Sequence, residues 1–385
     1  MKSFFPLAIS IASWQHESMI TPFILSRISI VKLRLACVVA LFLPSAPAFA
    51  DDFERGLVAL NQKNNDLAIA YFNAHIRLEP KHALAHCNRG IAYSNKKDYD
   101  KAIADFTQAI RFDPNLADAF YCRGNLFSEK EEYDKAIADY SNAVRIDPMY
   151  AVAYFNRGNA YTEKKEHDKA ITDYTQVIHL NPKDVEAYTN RGKAYSSKQE
   201  YDKAIADYSV AVRLDPQEFL PYYNRGNAYT DKKEYDKAIA DYTQAIRLEP
   251  KDAAAHNNRG YACFCKKEYE KASVDYSQAI RLEPMYAKAC ANLGWLLSTC
   301  PNDALRNGQK AIELATKAGE LSHWKVAQHH EVLAAANAET GNFMEAVKWQ
   351  KQALEVGFAN EAEKEAARQR LKLYEEGKRY RVDNR

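Results

Sequence analysis

The octapeptide YDKAIADF at Tyr99–Phe106 returns as YDKAIADY at 133, HDKAITDY at 167, YDKAIADY at 201 and 235, and YEKASVDY at 269, always 34 residues on. A fixed period of 34 in helix-forming composition describes a two-helix unit. One such unit cannot bury its apolar face alone, so consecutive units must stack into a solenoid. An array of this kind offers a long groove rather than a deep catalytic cleft.

Aligned on that period, each unit reads Asn-Arg-Gly-x-Ala-Tyr in its first half, Ala-x-x-x-Tyr/Phe in its second and Asp/Glu-Pro at its end. This pattern resembles the tetratricopeptide repeat. The family's small residue at position eight corresponds to Gly56, Gly90, Gly124, Gly158, Gly192, Gly226, Gly260 and Gly294. Its position twenty corresponds to Ala68, Ala102, Ala136, Ala170, Ala204, Ala238 and Ala272, and its terminal proline to Pro80, Pro114, Pro148, Pro182, Pro216, Pro250 and Pro284. Glycine at eight lets the first helix approach the second near the alanine at twenty, with the ring at twenty-four alongside, and the proline stops the second helix. Lys96-Lys97, Lys164-Lys165, Lys232-Lys233 and Lys266-Lys267 are followed by Asp98, Glu166, Glu234 and Glu268. Cations ending one helix and an anion starting the next read as punctuation suited to the helix dipoles.

The resemblance implies an all-α, right-handed α-solenoid (superhelix) of stacked antiparallel helix pairs. Repeats one to seven are expected at 51–82, 83–116, 117–150, 151–184, 185–218, 219–252 and 253–286. The period then slips: 17 residues separate Gly294 from Ala311 where Gly90 and Ala102 stand 12 apart, so a divergent eighth repeat at 287–323 carries an insertion near Thr299–Asp303. A divergent ninth repeat at 324–358 turns at Gly341-Asn342-Phe343, and 359–378 reads as a capping helix with a wet outer face before a tail at 379–385.

Residues 1–50 differ in kind. Lys32 and Arg34 precede the apolar run Leu35–Leu43, and Ala48-Phe49-Ala50 closes the segment. A basic flank, a short apolar run and an Ala-x-Ala ending read as a secretory signal peptide, with cleavage after Ala50 and a start at either Met1 or Met19. The run is too short to span a bilayer as a helix, and an uncleaved leader acting as an anchor is the alternative. The first 50 residues hold four Lys/Arg and one Glu, which leaves 49 basic and 50 acidic residues beyond them. The mature chain is thus nearly neutral and no nucleic-acid partner is implied. In an exported protein, Cys87 with Cys122 and Cys265 with Cys300, each 35 apart, are candidate bridges, whereas Cys263 and Cys290 read as core filling.

Arginine stands at position seven in Arg89, Arg123, Arg157, Arg191, Arg225 and Arg259, and aspartate at position twenty-three of the same units in Asp105, Asp139, Asp173, Asp207, Asp241 and Asp275. Repeat eight loses both charges, having Leu293 and Leu314, and repeat nine has Leu333 and Trp349. Joint loss is what a half-buried structural ion pair predicts, because a charge left alone would be costly. Repeat one is the exception, with Arg55 opposite Tyr71.

Positions two, six, nine and thirteen of a first helix share one face. That face is rich in asparagine: Asn88, Asn156, Asn190, Asn224, Asn258 and Asn292 at six, and Asn125, Asn159 and Asn227 at nine, where repeat five has Lys193. Tyr121, Phe155, Tyr223 and Asn257 flank it at position five, and Cys122 and Glu54 interrupt the asparagine row. The resemblance implies that such asparagines line a concave groove and hold the backbone of an extended peptide, since an amide both donates and accepts. The competing reading of the same residues is a merely soluble inner surface. The lysine and arginine pattern of the chaperone-binding relatives is absent from positions five and six.

No Gly-x-Ser-x-Gly or His-Glu-x-x-His occurs, and the glycines punctuate helix pairs rather than phosphate loops. His329-His330-Glu331 cannot share a metal through adjacent histidines about 100° apart on a helix, and reads as surface. The expectation is a non-enzymatic protein–protein interaction scaffold without cofactor or metal, binding a protein or peptide partner in its groove, in the bacterial periplasm or cell envelope. Membrane association would come only through a partner or an uncleaved leader. A self-assembling structural or accessory subunit of an envelope complex is the alternative.

Overall fold

The computed structural model describes residues 51–382. The leader expected at 1–50, with its cleavage after Ala50, lies outside the described residues. Those residues form nineteen α-helices and one short 3-10 turn at Asp303–Leu305, with no strand among them. They fall into two compact units that meet in sequence at Lys198 and Gln199, within the turn of the fifth repeat.

The first unit holds α1 Asp52–Asn61, α2 Asn65–Leu78, α3 Ala83–Asn95, α4 Tyr99–Phe112, α5 Ala117–Glu129, α6 Tyr133–Ile146, α7 Ala151–Glu163, α8 His167–Leu180 and α9 Val185–Ser197. The second holds α10 Tyr201–Leu214, α11 Phe219–Asp231, α12 Tyr235–Leu248, α13 Ala253–Cys265, α14 Tyr269–Leu282, α15 Ala287–Thr299, α16 Gly308–Leu321, α17 Ala327–Glu339, α18 Phe343–Val356 and α19 Glu361–Glu375. Within each unit every helix packs on its neighbours in sequence, and first helices also touch the first helix of the next repeat, as α3 does α5 and α11 does α13. Each unit is an all-α solenoid of stacked helix pairs. No helix of the described residues is long and apolar enough to cross a membrane.

The hairpin interior is built from two sizes of side chain. Ala102, Ala136, Ala170, Ala204, Ala238 and Ala272 are fully buried, and the position-twenty-four rings from Phe72 and Phe106 to Tyr276 are buried beside them. It is this ring, more than the alanine, that occupies the space left by the position-eight glycine. A Cβ placed on Gly158 would stand 2.9 Å from Tyr174 Cε1, and one on Gly56 2.5 Å from Phe72 Cε1. Flat ring against bare backbone sets the interhelical spacing.

The turn between the helices is made by a single left-handed residue. Lys97, Glu131, Lys165, Lys233 and Lys267 have φ between 59° and 65°, a conformation that costs L-residues steric energy. In repeat nine the same place is taken by Gly341 at φ 86°. Six lysines just before this turn reach back one repeat to an aspartate on the second helix: Lys96 to Asp66, Lys130 to Asp100, Lys164 to Asp134, Lys198 to Asp168, Lys232 to Asp202 and Lys266 to Asp236. The lysines are thus more than helix punctuation, although each exposed pair contributes little.

In the second unit the divergent end is the most heavily buried part. Helix α17 is enclosed by neighbouring helices, so His329, His330 and Glu331 are buried, against the surface placement read from the sequence. His330 Nε2 lies 2.9 Å from the Trp324 carbonyl, and His329 Nδ1 2.7 Å from Ser322 Oγ. Burial lowers the His329 pKa to about 4. Glu331 accepts from Arg370 of the capping helix at 2.6 Å and from Gln350 at 2.9 Å. Arg370 in turn lies over the Trp295 and Tyr380 rings. The chain after α19 folds back onto repeats eight and nine, where Val382 N donates to the Thr299 carbonyl and Arg381 reaches Glu339 at the end of α17.

Candidate functional site

The arginines at position seven occupy the hairpin. Arg89, Arg123, Arg157, Arg225 and Arg259 each grip the aspartate at position twenty-three through Nε and Nη2 at 2.6–2.8 Å. The remaining nitrogen, Nη1, donates to position twenty-five of the preceding repeat: Asn73, Thr107, Ser141, Ser209 and Thr243. Arg191 donates in the same way to Thr175 at 3.0 Å, while its expected partner Asp207 belongs to the other unit and is buried there. Arg55 has no position-twenty-three carboxylate and lies 3.6 Å from Asp52. In these five repeats one bidentate fork therefore closes the hairpin and stitches it to its predecessor.

The same pair titrates differently by repeat. Burial pushes Asp173 and Asp241 up, with Arg157 and Arg225 opposing it incompletely. Burial also acts on Asp105 and Asp275, but hydrogen bonds from Arg89 and His86, or Arg259 and His256, hold both below the usual carboxylate value. The histidines stand 3.4 Å from the carboxylates. The difference is written at position four, where repeats four and six have Tyr154 and Tyr222.

The asparagine face is organised by bonds between repeats. In the first unit Asn156 Nδ2 donates to Asn125 Oδ1 at 2.9 Å and to the Tyr121 hydroxyl at 3.2 Å, and Asn190 Nδ2 donates to Asn159 Oδ1 at 3.3 Å. The buried rings Tyr140 and Tyr174 donate their hydroxyls to the same oxygens of Asn125 and Asn159. In the second unit Asn258 donates to Asn227 Oδ1 and to the Tyr223 hydroxyl, Tyr242 donates to Asn227 Oδ1, and Asn292 donates to Asn257 Oδ1. Position six thus bonds position nine of the repeat before in three cases, and position five in the case of Asn292, which fixes how each of these amides is turned. Asn257, which flanks the row at position five where repeats three, four and six have an aromatic, is fully buried.

Departures from the row have structural consequences. Asn88 is buried and bonds its own helix at the Leu84 carbonyl, so it is turned away from the network. Asn224 is buried. Phe155 packs edge-on against Tyr174. Cys122, in place of an asparagine, is a thiol pushed up to about 12 by burial. All six cysteines among the described residues are free, so neither candidate bridge is formed. Burial lowers the pKa of Lys193 on this face, against the pull of Glu163. In the second unit burial likewise lowers Lys288, and it raises Asp231 to about 6.

Family models agree with this architecture. A model described as TPR repeat matches residues 124–165, 158–199, 192–231 and 226–266; two described as Tetratricopeptide repeat match 83–116 with 253–286, and 106–138. No curated protein matches the chain. Among solved structures, the C-terminal part of a TPR repeat-containing protein from Cytophaga hutchinsonii is 21% identical with a TM-score of 0.54, covering 63% of this chain and 99% of its own. YrrB, described as a TPR protein with an unusual peptide-binding site, is 23% identical with a TM-score of 0.45, over 48% of this chain and 95% of its own. A MamA structure is 29% identical with a TM-score of 0.41, over 43% and 96%. The likeness to the Cytophaga protein is one of fold. With the 34-residue period, the Arg-Asp hairpins and family models reaching from 83 to 286, the chain belongs to the tetratricopeptide repeat family.

Proposed function

We propose that this protein-interaction scaffold binds an extended peptide along the asparagine face of its first helices. The observation that carries this reading is the orientation of the amides. Asn125 and Asn159 spend their carbonyl oxygens on a tyrosine hydroxyl and on the next repeat's asparagine, and Asn156 and Asn190 spend their Nδ2 groups. Without a bond of this network are Nδ2 of Asn125 and Asn159 and Oδ1 of Asn156 and Asn190. Each junction between repeats therefore offers a donor at position nine and an acceptor at position six, which is what the carbonyl and N–H of an extended backbone require. The chemistry is that of binding, with no step of bond making assigned to it. The leader at 1–50 supports export to the bacterial envelope.

A peptide library displayed on phage and selected against the full chain tests the face directly. Enriched peptides are expected to lose at least about tenfold in affinity when Asn156 and Asn190 are both changed to Ala, two lost hydrogen bonds of roughly 1 kcal/mol each. The helical circular-dichroism spectrum should be unchanged. Undiminished binding to the double variant would place the peptide elsewhere.

A further inference from the structure

The junction between repeats one and two carries a group of side chains that stacking does not call for. His75 sits on α2 at position twenty-seven, where the six following repeats have Ala109, Ala143, Val177, Ala211, Ala245 and Ala279. It is 5% exposed, an imidazole where the packing elsewhere asks for a small apolar residue. His82 precedes α3 at a helix-capping position. Asp184 and Asp252 at the equivalent places cap their helices, whereas His82 makes no side-chain cap bond. Its ring turns instead to His75, with Nδ1 at 2.6 Å from His75 Nε2. Glu79, which ends α2, brings Oε2 to 3.9 Å from the same His75 nitrogen. One donor atom from each of the three lies within 4.8 Å of the other two.

We propose that His75, Glu79 and His82 form a site for a divalent transition metal of borderline character, zinc in the first instance. Two imidazole nitrogens and a carboxylate oxygen are the donor set that suits such ions. With metal–nitrogen bonds of about 2.0–2.1 Å, tetrahedral donors stand about 3.4 Å apart, so the rings open by about 0.8 Å while the exposed Glu79 side chain swings in. Phe53 backs both rings, with centroids 5.3 Å from His75 and 4.8 Å from His82, and limits how far they can turn. His86, the next histidine along, is committed to the Pro80 carbonyl and Asp105 and supplies no ligand. Three protein ligands leave a fourth position for water or for a donor from a partner. The metal would fasten the end of α2 to the start of α3, tying the first repeat to the second.

Equilibrium dialysis of the full chain against zinc alone tests this. One zinc per chain is expected. Loss of an outer partner of a metal site already costs 10–100-fold in affinity, so His75→Ala and His82→Ala should each weaken binding by about 100-fold or more, and Glu79→Gln by less. Alanine is the residue most other repeats hold at the place of His75, so that variant is expected to keep the helical spectrum of the parent. Cobalt in place of zinc should give a visible ligand-field spectrum without thiolate charge-transfer absorption. The proposal is overturned if the chain takes up no zinc, if the double histidine variant keeps its zinc, or if cobalt reports sulfur ligation.

Discussion

At the scale of the residue, the position-seven arginine is a buried-charge problem solved twice per repeat. Arg157 neutralises Asp173 and reaches Ser141 of the previous repeat, with Asp173 almost wholly buried. Removing one partner strands the other. Arg157→Ala is expected to destabilise by about 3–5 kcal/mol, and the paired change of Arg157 and Asp173 to Leu by much less, because no charge is left behind. Urea unfolding of the two variants side by side checks this. The histidine at position four decides the pH response. Asp105, held below its ordinary value, contributes stability that is present above the usual carboxylate range and is lost as pH falls through its lowered pKa. Asp173, raised by burial, acts in the opposite sense: its ionisation is disfavoured in the fold, so stability falls as pH rises through its raised value. Changing His86 to the tyrosine that repeat four carries at Tyr154 should therefore move the Asp105 titration upward. A carboxyl-resolved NMR titration that left it unmoved would remove His86 from the account.

At the scale of the element, each hairpin turns on one residue in the left-handed region. Lys165 holds φ 60° and its side chain is exposed, so the strain is local and little is lost with the side chain. Relief of about 1–2 kcal/mol of steric cost, set against the greater freedom of glycine in the unfolded chain, predicts that Lys165→Gly stabilises by up to about 1 kcal/mol. Hydrogen exchange of the α7–α8 amides would show this as slower opening. The lysine pairs were readable in the sequence only as charge. Their φ, and the aspartate one repeat back, follow from the hairpin and the stacking. The buried His329-His330-Glu331 was misread for the same kind of reason: a helix that is apolar on no single face can be solvated or enclosed on all sides, and periodicity does not distinguish these.

At the scale of the molecule, each unit must end without exposing the next unbuilt interface. In the second unit the end is made by α19, whose Arg370 closes over Glu331 while Glu361, Glu365 and Arg368 stay in water. Deleting 359–385 would leave the Glu331 carboxylate without its arginine, held only by Gln350, and uncover the apolar surface of Ala334, Ala338 and Ala346, which now pack with Tyr374. The deleted chain is expected to show concentration-dependent association by light scattering, where the intact chain keeps one mass. Association of both alike would instead favour assembly through surfaces other than this end.

What the sequence determined by itself is the repeating unit. Helix pairs, their boundaries at proline and their aromatic–glycine contact depend on residues within one 34-residue period, and a short-range pattern repeated seven times is hard to misread. The Arg-Asp pairing was legible because both charges disappear together in repeats eight and nine. What only the tertiary structure decided lies between repeats. The Asn156–Asn125 bond joins residues 31 apart, Arg157 meets Ser141 across a hairpin boundary, and His75 meets His82 around the first junction. Stacking creates these contacts, and no local preference of the chain announces them. An asparagine that bonds its own helix, as Asn88 does, and one that bonds the next repeat, as Asn156 does, carry the same letter at the same position. Their difference rests on the neighbour one repeat back, which the fold alone brings within reach.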